Sequence, residues 1–311
     1  MVEPPWRALV IGDATLDIIA RPAAPPRTGA DRPAVISLGP GGQGANVAVR
    51  LGRRGWAVRL LAAVGTDLPG TLLGGGLDAA GIEVRGPTDQ PSSTVVALID
   101  GSGDRAMLSD RSGLPVDAVA ESVLRELVDG VRWIHLSGYV LADGASGDAL
   151  ARAVAATAGA IPVSVGGGSF YGADVTGRWL KVRPRLSVFD RAEAEALLPG
   201  GGGGVADLAR SLADLSGSLV VVTDGAAGAV AALPDGTVAT TPTPHATEAR
   251  DATGAGDAFT AVLIDTLAAE PWPPQADRLT RALGAAAIVG AQVAAVVGAQ
   301  TPVPGEEMST R

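Results

Sequence analysis

A glycine-rich turn that carries an acidic residue, Asp251–Phe259 (DATGAGDAF), offers the clearest chemistry in this chain. Its small residues Gly254, Ala255 and Gly256 allow the backbone to turn sharply and to approach a ligand closely. A helical pattern follows, so the amides of residues 255–257 would lie at a helix start, where they favour an anion such as a transferred phosphoryl group. Asp257 could then take the proton of an attacking hydroxyl. Without a ligand, the same carboxylate would only cap the helix.

A second glycine cluster, Gly39–Asn46 (GPGGQGAN), precedes another helical run. Gly41 and Gly42 would permit the close approach of a polar ligand, and the Asn46 amide can both donate and accept hydrogen bonds. These residues are candidates for binding the molecule that bears the hydroxyl. The alternative is a flexible loop that ends in an asparagine cap.

Three charged residues are further candidates for that binding site. Asp13 and Asp17 follow the first apolar run, and open α/β sheets bind ligands at the carboxyl ends of their strands. Their carboxylates could accept hydrogen bonds from two hydroxyls of a polyol, or they could be turn and cap residues. Arg111 follows a β-prone run and could reach the substrate; a solvated ion pair with Asp110 is the alternative.

Short apolar runs alternate with helical patterns along most of the chain. Such alternation indicates βαβ units, a mainly parallel sheet and helices on both of its faces. The predicted fold class is therefore α/β and doubly wound. The predicted strands are 8–11, 58–64, 133–136, 161–165, 186–189 and 219–223, and the predicted helices are 46–54, 116–127, 145–158, 192–198 and 206–215.

Two segments interrupt this alternation. Residues 18–38 are rich in Pro and Arg, and residues 92–110 contain two β-prone runs joined by DGSGD at positions 100–104, which is typical of a hairpin. We expect the two segments to form a small β-sheet inserted in the α/β core. In a kinase, such a sheet would act as a lid that excludes water from phosphoryl transfer. The alternative is two surface loops.

Composition argues against several classes of protein. The 311 residues are 47% hydrophobic, which is enough for a substantial core. The net charge of −9 argues against nucleic-acid binding, and the lack of cysteine excludes thiolate zinc sites and thiol nucleophiles. With only His135 and His245, a histidine metal site has little support. We see no signal peptide, and the apolar run 283–297 predicts a buried helix rather than a membrane span, so we expect a cytoplasmic protein without a membrane partner.

These segments together resemble the PfkB, or ribokinase-like, family of carbohydrate kinases over about residues 7–304. Residues 251–259 look like its C-terminal signature and residues 41–46 like its N-terminal signature, in the expected order. GDATLD at 12–17, TDGAAG at 223–228 and GAQ at 298–300 are similar to further family motifs. The resemblance implies one ribokinase-like domain over residues 1–311. It also implies that the sheet from about 18–38 and 92–110 is a lid, through which such proteins often form homodimers.

The resemblance further implies roles for individual residues. Asp257 would be the catalytic base and Gly254–Gly256 the anion hole, with ATP as the phosphoryl donor and Mg²⁺ bridging its phosphates. Asp17 would bind hydroxyls of the acceptor. Asp251 would belong to a monovalent-cation site, which implies K⁺ as a further cofactor. The residues placed against the nucleotide are Thr223, Gly225, Gly228, Asp190 and Gly256.

The chain departs from the family pattern in two places. The NxxE motif near the magnesium reads Asp190-Arg191-Ala192-Glu193, so Glu193 is kept for an indirect role at Mg²⁺ while Asp replaces Asn. Asp190 could still hold a hydrated Mg²⁺ through an oxygen, but it adds a charge near the nucleotide. Gln43 stands where ribokinases often carry Lys, which argues against naming ribose as the acceptor.

Three alternatives to a sugar kinase stay open. A nucleoside kinase of the same fold would need an aromatic platform for the base, but aromatic residues are only 3% of the chain and Phe170–Tyr171 is their sole adjacent pair. A non-catalytic binding protein would be expected to lose Asp257 or the anion-hole glycines, and all are present. A dinucleotide oxidoreductase would need GxGxxG where GDATLD stands.

Overall fold

This computed structural model describes residues 5–99, 105–168, 175–198, 203–244, 249–304 and 306. These residues form a sheet of nine strands and a sheet of four strands, together with ten α-helices. The strands are β1 (Arg7–Ile11), β2 (Thr15–Pro22), β3 (Ala34–Gly41), β4 (Ala57–Leu61), β5 (Ile82–Arg85), β6 (Ser93–Ile99), β7 (Arg105–Asp110), β8 (Val131–Leu136), β9 (Val163–Val165), β10 (Leu186–Asp190), β11 (Leu219–Thr223), β12 (Ala229–Ala232) and β13 (Val238–Thr241). The helices are α1 (Gln43–Arg53), α2 (Leu68–Ala79), α3 (Glu121–Leu127), α4 (Gly138–Ala142), α5 (Gly144–Thr157), α6 (Thr176–Lys181), α7 (Arg191–Leu197), α8 (Val205–Ser216), α9 (Ala255–Ala268) and α10 (Ala276–Ala294).

The large sheet has the strand order β13-β12-β11-β10-β9-β8-β1-β4-β5. The chain builds outward from β1 to β4 and β5 on one side, and then from β8 to β11 on the other side, with these strands parallel. Only β12 and β13 are antiparallel to their neighbours. The predicted doubly wound α/β fold is confirmed. The reversal between β1 and β8 leaves a crevice at their carboxyl ends, which is where open α/β sheets bind ligands.

Helices bury both faces of the large sheet, as expected for strands that are apolar on both faces. In β1, Ala8 and Val10 face one core, while Leu9 and Ile11 face the other, and all four are fully buried. The first core includes α1, α9 and α10, and the second includes α3, α5 and α8. The strand ends that border the crevice are therefore held from both sides.

The small sheet has the strand order β3-β2-β6-β7. Its strands cover residues 15–22, 34–41, 93–99 and 105–110, so the small sheet predicted from residues 18–38 and 92–110 is present, and its first segment extends over residues 15–41. Its first two strands are consecutive and antiparallel, and β2 pairs in parallel with β6. The turn predicted at residues 100–104 lies outside the described residues.

Two helices differ from their predicted bounds by more than three residues. Helix α3 begins at Glu121 rather than at Val116, because the preceding residues form turns in which the N–H of Ala118 donates to the oxygen of Pro115. Residues 283–294 of the predicted apolar run form the second half of α10, which begins at Ala276, ends at Ala294 and is buried on one side. Among the described residues, we find no helix with the length and apolarity needed to cross a bilayer.

Candidate active site

A left-handed glycine starts α9 at the edge of the crevice. Gly254 is the N-cap of the helix, with a φ of 79°, and a Cβ at this position would lie 2.7 Å from the Cβ of Ala299. Both the backbone conformation and the close approach of the neighbouring loop therefore require glycine here.

The first amides of α9 lie where the anion hole is predicted. The N–H groups of Gly256 and Asp257 have no acceptor among the described residues, whereas the N–H of Ala255 donates to the backbone oxygen of Ala252. A Cβ on Gly256 would meet nothing within 4 Å, so this part of the backbone faces open space. Two free amides at the positive end of a buried helix can bind a phosphoryl group.

The side chain of Asp257 lies beside these amides. Its Oδ2 accepts a hydrogen bond of 2.7 Å from Nδ2 of Asn46, which lies in the first turn of α1. Although part of its surface faces the crevice, desolvation by the surrounding protein raises the pKa of Asp257 to about 7, against the hydrogen bond from Asn46 that lowers it. A carboxylate with this pKa can accept a proton near neutral pH.

Asp13 and Asp17 approach the same crevice from the end of β1 and from β2. The Nη1 of Arg111 donates a hydrogen bond of 2.6 Å to Oδ2 of Asp13, and the guanidinium carbon of Arg111 lies 4.0 Å from the ring centre of Tyr139. Asp17 accepts a hydrogen bond of 2.6 Å from Oγ1 of Thr15, and its pKa is raised chiefly by burial. The positive charge of Arg111 is thus already paired, while Asp17 has acceptor capacity for hydroxyl groups.

The glycines of the N-terminal cluster make room for these carboxylates. A Cβ on Gly41 would lie 2.1 Å from Oδ2 of Asp17, and a Cβ on Gly42 would lie 2.7 Å from the backbone oxygen of Asp13. Gly42 also has a φ of 91° and precedes α1. Gly41 therefore acts by leaving space for Asp17, and Gly42 by allowing the turn into the helix.

Asp190 and Glu193 form a capping box at the start of α7. The N–H of Glu193 donates to Oδ1 of Asp190, and the N–H of Asp190 donates to Oε2 of Glu193, both at 2.8 Å. Oε1 of Glu193 accepts a further bond from the N–H of Gly168. Burial raises the pKa of Glu193 to about 7, and the charges of Asp190 and Asp257 add to this.

The turn after β11 borders the crevice next to α7. Thr223 and Gly225 line the cavity, whereas Gly228 lies outside its described lining. Gly228 has a φ of 103°, and a Cβ there would lie 2.1 Å from the backbone oxygen of Thr241, so it serves the turn itself. Of the predicted nucleotide contacts in this motif, two are therefore positioned to touch a ligand directly.

Asp251 is buried and joins two loops beside Gly254. Its Oδ1 accepts a bond of 3.1 Å from the N–H of Thr253, and its Oδ2 accepts one of 3.0 Å from the N–H of Gly298. Burial acts to raise the pKa of Asp251, but these hydrogen bonds outweigh it and the net pKa is lowered. The residue is thus an anionic link behind the anion hole rather than part of the described cavity lining.

One cavity of about 500 Å³ contains most of these groups. Gly41, Gly228 and Asp251 lie outside its described lining. The predicted site residues in the lining are Asp13, Asp17, Gly42, Asn46, Arg111, Asp190, Glu193, Thr223, Gly225, Gly254, Ala255, Gly256 and Asp257.

Tyr139 and His135 are among the lining residues for which the sequence analysis predicts no role. Tyr139 follows the end of β8, where the strand-end rule that picked out Asp13 could have found it. His135 is buried, its Nδ1 lies 2.9 Å from Oγ of Ser164, and burial lowers its pKa to about 3. It is therefore neutral. Phe170–Tyr171 and His245 lie outside the described residues.

Comparisons with known proteins agree with this geometry. The chain matches the model of the "pfkB family carbohydrate kinase" over residues 7–306. It is 30% identical over 310 residues to a fructokinase of Klebsiella pneumoniae, with 95% of each chain covered.

Solved structures share the fold. A ribokinase from Thermotoga maritima superposes with a TM-score of 0.76 and 19% identity, covering 97% of each chain. A fructokinase double mutant from Vibrio cholerae, bound to fructose, ADP and a potassium ion, gives 0.74 and 23% identity, covering 98% of this chain and 96% of that one. With the family model matched over almost the whole chain, this protein belongs to the pfkB family of carbohydrate kinases and is a sugar phosphotransferase.

Proposed function

We propose that this enzyme transfers the γ-phosphoryl group of ATP to a hydroxyl of a small, unphosphorylated sugar, with Asp257 as the general base. The observation that carries the proposal is the position of Asp257. Its desolvated carboxylate lies beside the free amides of α9 and shares one cavity with Asp13 and Asp17. A base, an anion site and a polyol site within one cavity are the parts that phosphoryl transfer needs.

The reaction follows from the roles of these groups. Asp17 accepts hydrogen bonds from acceptor hydroxyls and orients the reacting one toward Asp257. The oxygen of that hydroxyl bonds to the γ-phosphorus, the bond from this phosphorus to the β–γ bridging oxygen breaks, and the proton passes to Asp257. The amides of Gly256 and Asp257 stabilise the charge on the transferred group, and ADP leaves.

The carboxylates of Asp190 and Glu193 suit a hydrated Mg²⁺ bound mainly by ATP. Magnesium usually keeps several waters and takes one or two carboxylates in addition to substrate phosphates, and these two side chains border the cavity. When bound, the ion would neutralise charge on the phosphates. Among the described residues there is no cluster of three or more acidic or histidine side chains that would hold a metal without the nucleotide.

The end of the cavity lined by Asp13 and Asp17 is called the acceptor end here, and its charges favour a neutral sugar. Asp13, Asp17 and Asp257 face this end, and the nearby cation, Arg111, is already paired with Asp13. A phosphorylated acceptor would therefore meet repulsion. Tyr139 has one ring face covered by Arg111, so that face is not open to stack a nucleoside base. A nucleoside acceptor of the adenosine or pseudouridine type is the second candidate, because the cavity lining includes the aromatic side chain of Tyr139.

A monovalent cation such as K⁺ is a further proposed cofactor. The pKa of Asp251 is lowered, so this residue supplies a negative charge. It lies between two loops, next to the proposed anion hole. A cation bound beside it would stabilise the loop that presents Gly254. Turnover that depends on K⁺ and is unaffected by Na⁺ would support this assignment.

The small sheet supports two related proposals, a lid and a dimer interface. One of its faces carries Asp17, Val95 and Met107 toward the cavity. The opposite face has a continuous apolar row across all four strands, Leu38–Ile18–Val96–Leu108, with Leu38 and Leu108 exposed by 60% and 66%. We propose that a second copy of the chain covers this row. A monomer in light scattering, or a dimer retained in Leu38→Lys/Leu108→Lys, would contradict it.

The direct test of function is ADP release with Mg-ATP and K⁺ across a panel of acceptors. The panel holds fructose, ribose, 2-keto-3-deoxygluconate, tagatose phosphate, adenosine and pseudouridine. We expect turnover with a neutral sugar and little with tagatose phosphate. Preference for adenosine or pseudouridine would instead establish the nucleoside alternative, and ATP binding without turnover of any acceptor would contradict the proposal.

A further inference from the structure

The loop after α10 is fastened to α1 by two arginines. The guanidinium of Arg50, which is 1% exposed, donates to the backbone oxygens of Ala299 and Thr301 and pairs with Glu306. Nη2 of Arg53 donates a bond of 2.6 Å to the backbone oxygen of Gln300. Loop residues 299–301 are thus held against α1 by two arginines of its last turn.

The side chain of Gln300 reaches the same helix at Asn46. Nε2 of Gln300 donates a bond of 3.0 Å to Oδ1 of Asn46, and Nδ2 of Asn46 donates the bond of 2.7 Å to Oδ2 of Asp257. These two bonds form an ordered chain from the C-terminal loop to the carboxylate. We refer to Gln300, Asn46 and Asp257 as the amide relay.

Only one orientation of the Asn46 amide favours an ionised Asp257. An amide has a donor end and an acceptor end, and an ionised carboxylate only accepts. Because Gln300 donates to Oδ1, the NH₂ end of Asn46 is directed to Asp257. Without that donor, only the contact with Asp257 would distinguish the two ends of the Asn46 amide.

We propose that Gln300 is a positioning residue, which acts through Asn46 to hold the base Asp257 in its ionised form and in place. This inference rests on the proposed role of Asp257 and extends it to the loop after α10. It gives a physical reason for Gln300 that does not involve contact with a substrate.

Other charges also act on Asp257, so the test must separate them from the relay. Asp13 and Asp17 raise its pKa from the acceptor end, Arg50 lowers it from α1, and Glu193 lies across the cavity. Gln300 is uncharged, and its replacement by a neutral side chain alters none of these charges. A change in the pKa of Asp257 in such a variant would therefore come from the relay.

The test is the pKa of Asp257 in Gln300→Met, measured by ¹³C NMR of the carboxyl carbon in the ligand-free enzyme, with the signal assigned by its absence in Asp257→Asn. Loss of one hydrogen-bond donor in the relay should raise this pKa by about 0.5–1 unit. The acidic limb of kcat/KM for the acceptor should move upward by the same amount. At pH values above that limb, kcat should stay close to that of the original enzyme.

Two further variants make the result decisive. Thr301→Val is the matched control, because Thr301 lies next in the loop and bonds to Val297 outside the relay; it should leave the pKa of Asp257 unchanged. Gln300→Leu also removes the donor with a neutral side chain and should raise the pKa of Asp257 by a similar amount. It also serves as the test if Gln300→Met does not fold.

Two different results would contradict these expectations. An Asp257 pKa that is the same in Gln300→Met, Gln300→Leu and Thr301→Val would overturn the relay. Normal turnover in Asp257→Asn would instead overturn the role of the base, while the NMR titration would still report whether Gln300 acts on that carboxylate. The two failures are therefore distinguishable.

Discussion

The two ends of the cavity are built from unequal supports. At the transfer end, Asp257 extends from α9, in which the run from Ala258 to Asp265 is buried throughout. At the acceptor end, Asp17 extends from a strand of the small sheet, whose other face exposes Leu38 and Leu108. A helix packed on every side holds its groups in one place, whereas a sheet covered on one side can move as a unit.

This difference suggests a division of labour. The chemistry needs atoms held in fixed positions, and the transfer end supplies them through α9 and the amide relay. Binding requires the acceptor to enter and then to be enclosed, and the small sheet can supply Asp17 on closure. We therefore expect changes at the transfer end to affect turnover and changes at the acceptor end to affect acceptor binding.

The largest effect should come from Asp257→Asn. The amide keeps the shape and can still accept the bond from Asn46, but it cannot take a proton, so kcat should fall by about 10²–10⁴-fold with little change in ATP binding. Steady-state ADP release and ATP titration would measure this.

A matched control for this variant lies in the same helix. Asp265 is buried and accepts hydrogen bonds from Arg54 and from Trp56. It lies outside the described lining of the cavity. Asp265→Asn should lower stability and leave kcat within about twofold of the original, since it weakens a buried ion pair without touching the site. If both variants lost turnover equally, the effect of Asp257→Asn would be structural.

The next effect should appear at the acceptor end. Asp17→Ala removes a carboxylate that is proposed to accept hydrogen bonds from hydroxyls of the acceptor. The KM for the acceptor should therefore rise by about 10–100-fold, while the KM for ATP stays nearly constant. Asp31→Ala, in the exposed connection between β2 and β3, is the control. An unchanged acceptor KM would remove Asp17 from the binding site.

A smaller effect concerns stability and pH. The pKa of Asp257 is raised from 3.8 to about 7, so the folded protein retains a proton that the unfolded chain releases between these values. Stability due to this group therefore falls as the pH rises from about 4 to 7. Asp257→Asn removes this loss and should raise Tm by roughly 2–6 °C at pH 8, with almost no gain at pH 4.5. An equal gain at both pH values would contradict the assigned pKa.

The residues of this cavity could be predicted from the sequence better than the hydrogen bonds between them. The glycine turn before α9 and the alternation of strands and helices depend on local patterns, and both are present as predicted. The bond between Asn46 and Asp257 joins residues separated by 211 positions, and the bond from Gln300 to Asn46 joins residues separated by 254. No local pattern carries that pairing, which exists only because α1 and the C-terminal loop pack beside α9. Asn46 was therefore predicted to bind the acceptor, and its hydrogen bond to Asp257, the proposed base, could not be predicted from the sequence.

The smallest expected effect tests whether the charge of Asp190 matters. Its carboxylate accepts the N–H of Glu193, and it also helps to raise the pKa of Glu193. Asparagine caps helices as well as aspartate does and offers an oxygen to a hydrated Mg²⁺, so Asp190→Asn should change the half-saturating Mg²⁺ concentration by less than about threefold. Asp190→Ala lacks both functions and should also lose about 1 kcal/mol of unfolding free energy. A tenfold higher half-saturating Mg²⁺ concentration in Asp190→Asn would show that the carboxylate charge itself holds the metal. The nucleotide end of the cavity would then depend on charge as strongly as the acceptor end does.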